Sequence, residues 1–217
     1  MEQELARRPL KSRSANWPRQ IAFALVGKGF TPNQISVASL VLSLGGSVCL
    51  LLAPQQPRVI ASLLFLATTI CIQLRLVCNL LDGLMAVEGG KKTKAGEIFN
   101  EFPDRIADVV LFVCAGYSIY FLPYAIQLGW ACAVAAVLTA YVRVFGGAVG
   151  LPQDFCGPMA KQQRMATLTG ACVLSAIELF LAWPPRIMFV GLCTVLIGSL
   201  FTATRRTLRI ARLLNHR

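Results

Sequence analysis

The chain has 217 residues, of which 56% are hydrophobic and only 14% charged. That balance excludes an ordinary soluble domain and fits a polytopic membrane protein. The net charge of +11 comes from basic residues gathered at the ends of apolar segments, which reads as membrane orientation and anionic-lipid contact, with nucleic-acid binding the poorer reading.

Residues 14–27, SANWPRQIAFALVG, place Trp17, Ile21 and Leu25 at four-residue steps beside Arg19 and Lys28. This predicts a short amphipathic helix lying in the membrane interface, capped by Ser14, with Pro18 in its first turn and Gly27 and Gly29 at its end. Thr31-Pro32-Asn33 then makes a turn. Six segments of about 20 or more mostly apolar residues follow, read as 35–53, 59–86, 97–122, 124–149, 158–183 and 186–211. The second, fourth and sixth run long and should tilt or project. The expected fold is thus an all-α integral membrane protein: an N-terminal arm with an interfacial helix over 1–30, then a six-helix membrane domain over 31–217. No cleavable signal pattern precedes it.

Arg7, Arg8, Lys11, Arg13, Arg19 and Lys28 precede the first span. Lys91, Lys92 and Lys94 lie between spans two and three, and Arg205, Arg206, Arg209, Arg212 and Arg217 close the chain. Only Arg58 and Arg186 mark the other side. The positive-inside rule then places both termini and the 87–96 and 150–160 loops in the cytoplasm. The eight cysteines include no CxxC pair, and His216 is the one histidine. A zinc site or disulfide scaffold is not expected, and the cysteines read as small packing residues.

Two ladders carry the chemistry. Asn79, Asp82, Gly83 and Ala86 end span two; Gly96, Asn100, Asp104 and Asp108 open span three, with Glu97, Glu101 and Arg105 among them. Steps of three and four put each set on one helix face. Carboxylates at membrane depth are costly and usually face a cavity. Pro103 should kink or weaken span three. The loop 88–95, EGGKKTKA, combines glycine freedom with lysine charge, although plain topology explains it as well. Lys161 and Arg164 lie one helical step apart after Gly157-Pro158 and suit a phosphate, or snorkel at a span end. Arg143 and Glu178 read equally well as buried polar contacts.

If Asp82, Asp104 and Asp108 converge with the amide oxygens of Asn79 and Asn100, the donors select a hard cation, Mg²⁺ or Mn²⁺. A polar pocket with apolar walls suits a substrate with a charged head and acyl tails. Phosphoryl-type transfer needs charge neutralisation, positioning and a base. An ion pathway is the alternative. Against it, the acids cluster near one membrane face, and small residues lie between them as if to admit a bulky ligand.

The run Asn79-x2-Asp82-Gly83-x2-Ala86-Val87-x8-Gly96-x3-Asn100-x3-Asp104 resembles the CDP-alcohol phosphotransferase signature in its spacing, and Thr31–Ser36 resembles the family's entry to its first span. The resemblance implies transfer of a phosphatidyl group from CDP-diacylglycerol to a hydroxyl acceptor, which can be phosphorylated, with release of CMP. It implies that Asn79, Asp82, Asn100 and Asp104 hold Mg²⁺ or Mn²⁺, with Asp104 at the base position and Gly83, Ala86 and Gly96 along the CDP cavity. Asn79 and Asn100 stand where the family has aspartates, and Val87 where it has arginine; Glu101 and Asp108 partly compensate. A degenerate, non-catalytic relative is therefore the second reading. Expected partners are membrane lipids and a second copy of the chain, and the expected location is a bacterial inner membrane.

Overall fold

The computed structural model describes residues 16–87 and 96–216, without the side chains of Glu97 and Asn100. The Ser14 cap, the basic residues before Asn16, the 88–95 loop, Arg217 and the Asn100 ligand lie outside the described residues. What is described is helical: α1 Asn16–Gly27, α2 Pro32–Leu52 with a 3-10 turn Ala53–Gln55, α3 Arg58–Val87, α4 Gly96–Tyr117, α5 Ala125–Ala148, α6 Lys161–Phe180 and α7 Ile187–Asn215. Extended α2, α3, α5 and α7 are long and apolar enough to cross a membrane. The expectation of six such spans is met by four. The other two helices, α4 and α6, carry the charged residues read above.

The six long helices close into a ring in the order α3, α2, α4, α5, α7, α6 and back to α3. Its core joins Leu50, Phe65, Ile72, Leu111, Phe112, Met165, Met188 and Leu192. Small residues bring backbones close, as in membrane helix pairs. A Cβ on Gly116 of α4 would lie 2.6 Å from the Ala125 carbonyl oxygen and 3.0 Å from the Gly129 Cα. Thr31 starts α2 with a full capping box: its Oγ1 accepts from the Gln34 N–H, and Gln34 Oε1 accepts from the Thr31 N–H.

Two boundaries differ from the sequence reading. Helix α1 packs through Ala22, Leu25 and Val26 onto Leu81, Leu84, Met85 and Ile35, while Trp17 and Ile21 stay 49% and 41% exposed. The stripe expected to meet the membrane interface thus keeps Trp17 and Ile21 uncovered by protein, and an adjoining face packs on the bundle. Helix α4 ends at Tyr117, short of 122, and the chain turns through Tyr124, whose φ is +61°. Pro103 does not interrupt α4. Helix α6 starts at Lys161, after an irregular 151–160 segment.

That segment is seated on α7. Gly157 has φ +118°, and a Cβ there would lie 2.4 Å from Thr202 Cγ2; the Met159 N–H donates to Thr202 Oγ1 at 3.0 Å. Left-handed φ and overpacking act together, so Gly157→Ala will cost about 1–3 kcal/mol. A fall in the thermal midpoint of the detergent-solubilised protein checks this; an unchanged midpoint contradicts it. Asp154 in the same segment is held below the usual carboxylate range. Burial opposes this, but hydrogen bonds from the Cys156 thiol and N–H and the nearby Arg209 and Arg206 outweigh it. Glu178 is structural, since its Oε2 accepts from the Ile187 N–H at 3.0 Å and caps the otherwise bare start of α7. None of the eight cysteines is paired.

Candidate active site

Contacts from Ser36, Asn79, Asp104, Thr139, Lys161 and Arg206 tie the starts of α2, α4 and α6 to the far ends of α3, α5 and α7. The site is at this end of the bundle. Residues 75, 79 and 82 lie along one face of α3, and 104 and 108 along one face of α4. Asp82 is 4% exposed. Its Oδ2 accepts from the Ser36 hydroxyl at 2.6 Å, while its Oδ1 is buried and has no hydrogen-bond partner.

Asp104 is engaged on both oxygens. Oδ1 accepts from Asn79 Nδ2 at 3.1 Å and faces an Arg75 terminal nitrogen at 3.4 Å; Oδ2 is paired with the Lys161 ammonium. Asp108 is 1% exposed and sits between two arginines, with Arg75 at 2.7 Å and Arg164 at 2.8 Å. Arg164 also donates to Thr139 Oγ1 and the Met159 carbonyl, and its Nε is buried without a partner. Burial without pairing would be prohibitive for such charges. The pairing is tight because each carboxylate meets cations from two different helices.

A cavity of about 510 Å³ opens beside this network. Its polar wall includes Asn79, Glu101, Asp104, Lys161, Arg143 and Arg164, and Trp17, Leu76, Val77 and Leu80 form an apolar side. Glu101 is held by Arg143 at 2.6 Å and Arg105 at 3.0 Å, and Arg143 stacks over Phe155. The sequence-predicted Asn79, Glu101, Asp104, Lys161 and Arg164 thus meet at one space. Asp108 does not line this cavity: it is enclosed between Arg75 and Arg164, and its contacts are with those two arginines. Gly83, Ala86 and Gly96 are part-buried and are also absent from the described lining.

Sequence reasoning did not assign Arg75, Ser36, Thr139 or Arg206 to the site. Arg75 was detectable, being one helical turn before Asn79 on the same face. Arg206 donates to the Cys156 and Thr139 carbonyls, a long-range contact with no local signal.

One divalent cation fits this donor set, because Asp82 Oδ1 is an uncompensated carboxylate oxygen and hard cations take such oxygens. A closed carboxylate cage is not present: among the described residues no three His, Cys, Asp or Glu side chains are grouped to hold a metal ion.

No protein-family model matches the chain. It is 31% identical over 147 residues to the inner membrane protein YnbA of Escherichia coli K12, spanning 67% of this chain and 68% of that one. It is 26% identical over 190 residues to the phosphatidylinositol phosphate synthase of Mycobacterium tuberculosis, spanning 86% and 82%. The corresponding Corynebacterium glutamicum synthase is 28% identical over 196 residues, spanning 86% and 80%. The M. tuberculosis synthase structure with CDP-DAG bound superposes with a TM-score of 0.73 at 23% identity, covering 90% of this chain and 94% of that one. Its complex with manganese and citrate gives 0.73, covering 89% and 88%. These structures share the fold. With the signature spacing on α3 and α4, the chain belongs to the CDP-alcohol phosphatidyltransferase family.

Proposed function

We propose that this chain is a phospholipid-synthesising transferase that moves a phosphatidyl group from CDP-diacylglycerol to a hydroxyl acceptor and releases CMP. One observation carries the reading: Asp104 and Lys161 meet in a cavity with one charged and one apolar wall, beside the uncompensated Asp82. The apolar side on α3 and α1 suits acyl chains, and the polar side suits a pyrophosphate and an incoming alcohol.

Asp104 takes the proton of the acceptor hydroxyl as its oxygen bonds to the phosphorus bearing diacylglycerol. The pyrophosphate P–O bond to that phosphorus breaks, and CMP leaves with the electron pair. Asp82, with Asn79 and Asn100, holds Mg²⁺ or Mn²⁺, which when bound neutralises phosphate charge. Gly83, Ala86 and Gly96, although outside the cavity's described lining, keep the ends of α3 and α4 free of bulk for the nucleotide. Asp108 fixes Arg75 and Arg164, and Glu101 fixes Arg105 and Arg143.

The acceptor carries a phosphate, held by Lys161 and Arg164. Lysine keeps two N–H donors beyond the one given to Asp104, and Arg164 lines the same cavity. Lys161→Ala will raise the acceptor KM about ten- to a hundredfold, the worth of one charge-assisted contact at about 1.5–3 kcal/mol, and move the CDP-lipid KM much less. Equal movement of both would assign Lys161 to the CDP-lipid pyrophosphate instead.

In this reading α2–α7 span a bacterial inner membrane with both termini cytoplasmic. Residues 31–217 form the catalytic domain, and 1–30, with α1 in the interface, form its arm. A second copy of the chain is an expected partner. Binding is tested directly: CDP-diacylglycerol with Mn²⁺ will raise the thermal midpoint of the purified protein, because a ligand of the folded state at 100 times its Kd adds about 2.7 kcal/mol. Cation flux in liposomes without such protection would favour a transporter.

A further inference from the structure

The two asparagines in the signature have a structural counterpart in how the remaining carboxylates are neutralised. Two divalent cations would bring four positive charges to a site whose signature positions supply two carboxylates, Asp82 and Asp104. Asp104 is already neutralised from within the protein, by Lys161 on one oxygen and by Arg75 with the Asn79 amide N–H on the other. Asp108 is neutralised by Arg75 and Arg164 and has no charge to offer. Asp82 differs, being buried with a free oxygen. A second cation on Asp104 would face the Lys161 ammonium and the Arg75 guanidinium at short range, where like charges in a low-dielectric interior repel strongly.

We propose that the site takes a single divalent cation, anchored by Asp82, and that the Lys161 ammonium stands permanently where a second cation would otherwise neutralise Asp104. Lysine suits this place: a compact point charge on a flexible stem, with three donors to divide between a carboxylate and phosphate oxygens. Asn79 completes the exchange, because its side-chain N–H binds Asp104 where an aspartate would repel it. The proposal rests on the transferase reading for the cation's role, but its test does not use activity.

The test is a Mn²⁺ titration of the purified full chain in detergent, with free Mn²⁺ read by electron paramagnetic resonance. The wild type will bind one Mn²⁺ per chain. Asp82→Asn will bind none at the same concentrations, and Asn79→Asp/Asn100→Asp/Lys161→Met will bind two. Two Mn²⁺ per wild-type chain, or none, overturns the proposal whether or not the triple variant folds. So does one Mn²⁺ that survives Asp82→Asn. Separately assayed CMP release distinguishes the two readings: release with two Mn²⁺ bound overturns the single-cation site and leaves the transferase standing, whereas one bound Mn²⁺ without release does the reverse.

Discussion

Asp82→Asn and Asp104→Asn will each lower CMP release by about a hundredfold or more, the scale of removing one preorganised electrostatic contact to a transferring group. Both changes are nearly isosteric. Asp82→Asn keeps an oxygen able to accept from Ser36 but loses the charge that offers Oδ1 to a cation. Asp104→Asn loses the proton acceptor and leaves Lys161 without its partner carboxylate. The expected pattern is near-complete loss of turnover with a thermal midpoint that shows the chain still folded. Wild-type turnover in either folded variant would contradict the site. The converse changes, Asn79→Asp and Asn100→Asp, should alter metal preference more than rate.

The second large effect is expected at Arg75. It is completely buried and spans Asp104 and Asp108, so Arg75→Met leaves two carboxylates each short of a cation, Asp108 fully enclosed and Asp104 at the cavity wall. Truncating one member of such a network costs about 3–5 kcal/mol. A large drop in thermal midpoint and in kcat should therefore appear together. Arg75→Lys restores the charge but cannot fork across two carboxylates, so it should recover part of the midpoint and less of the kcat. A stable, fully active Arg75→Met protein would show that Lys161 and Arg164 hold α4 without it.

The readable parts of this molecule were those set by local pattern. Apolar length marked α2, α3, α5 and α7, and three- and four-residue steps put Asn79 with Asp82 and Asp104 with Asp108. The proximity of Lys161 and Arg164 to those acids followed from charge at a single end of the bundle. What could not be read was set across the bundle. The start of α6 depends on Gly157 seating against Thr202, which lies 45 residues downstream (202 − 157). The packing face of α1 depends on which side meets Leu81, Leu84 and Met85, and its own spacing allows more than one stripe. Asp108 read as part of the site because a carboxylate one turn beyond Asp104 shares its face. Its enclosure by Arg75 and Arg164 is a property of three helices at once. Arg75 was missed although its place one turn before Asn79 was legible, because its partners Asp104 and Asp108 lie on another helix.

The most direct measurement is CMP release by the purified protein from CDP-diacylglycerol with Mg²⁺ or Mn²⁺, across a panel of phosphorylated and unphosphorylated alcohols. The account predicts CMP formed in step with a new phospholipid, abolished by chelation, with a phosphorylated alcohol as the best acceptor. No release with any acceptor, from a protein that is folded and binds CDP-diacylglycerol, would contradict it and mark the chain as a non-catalytic member of its family.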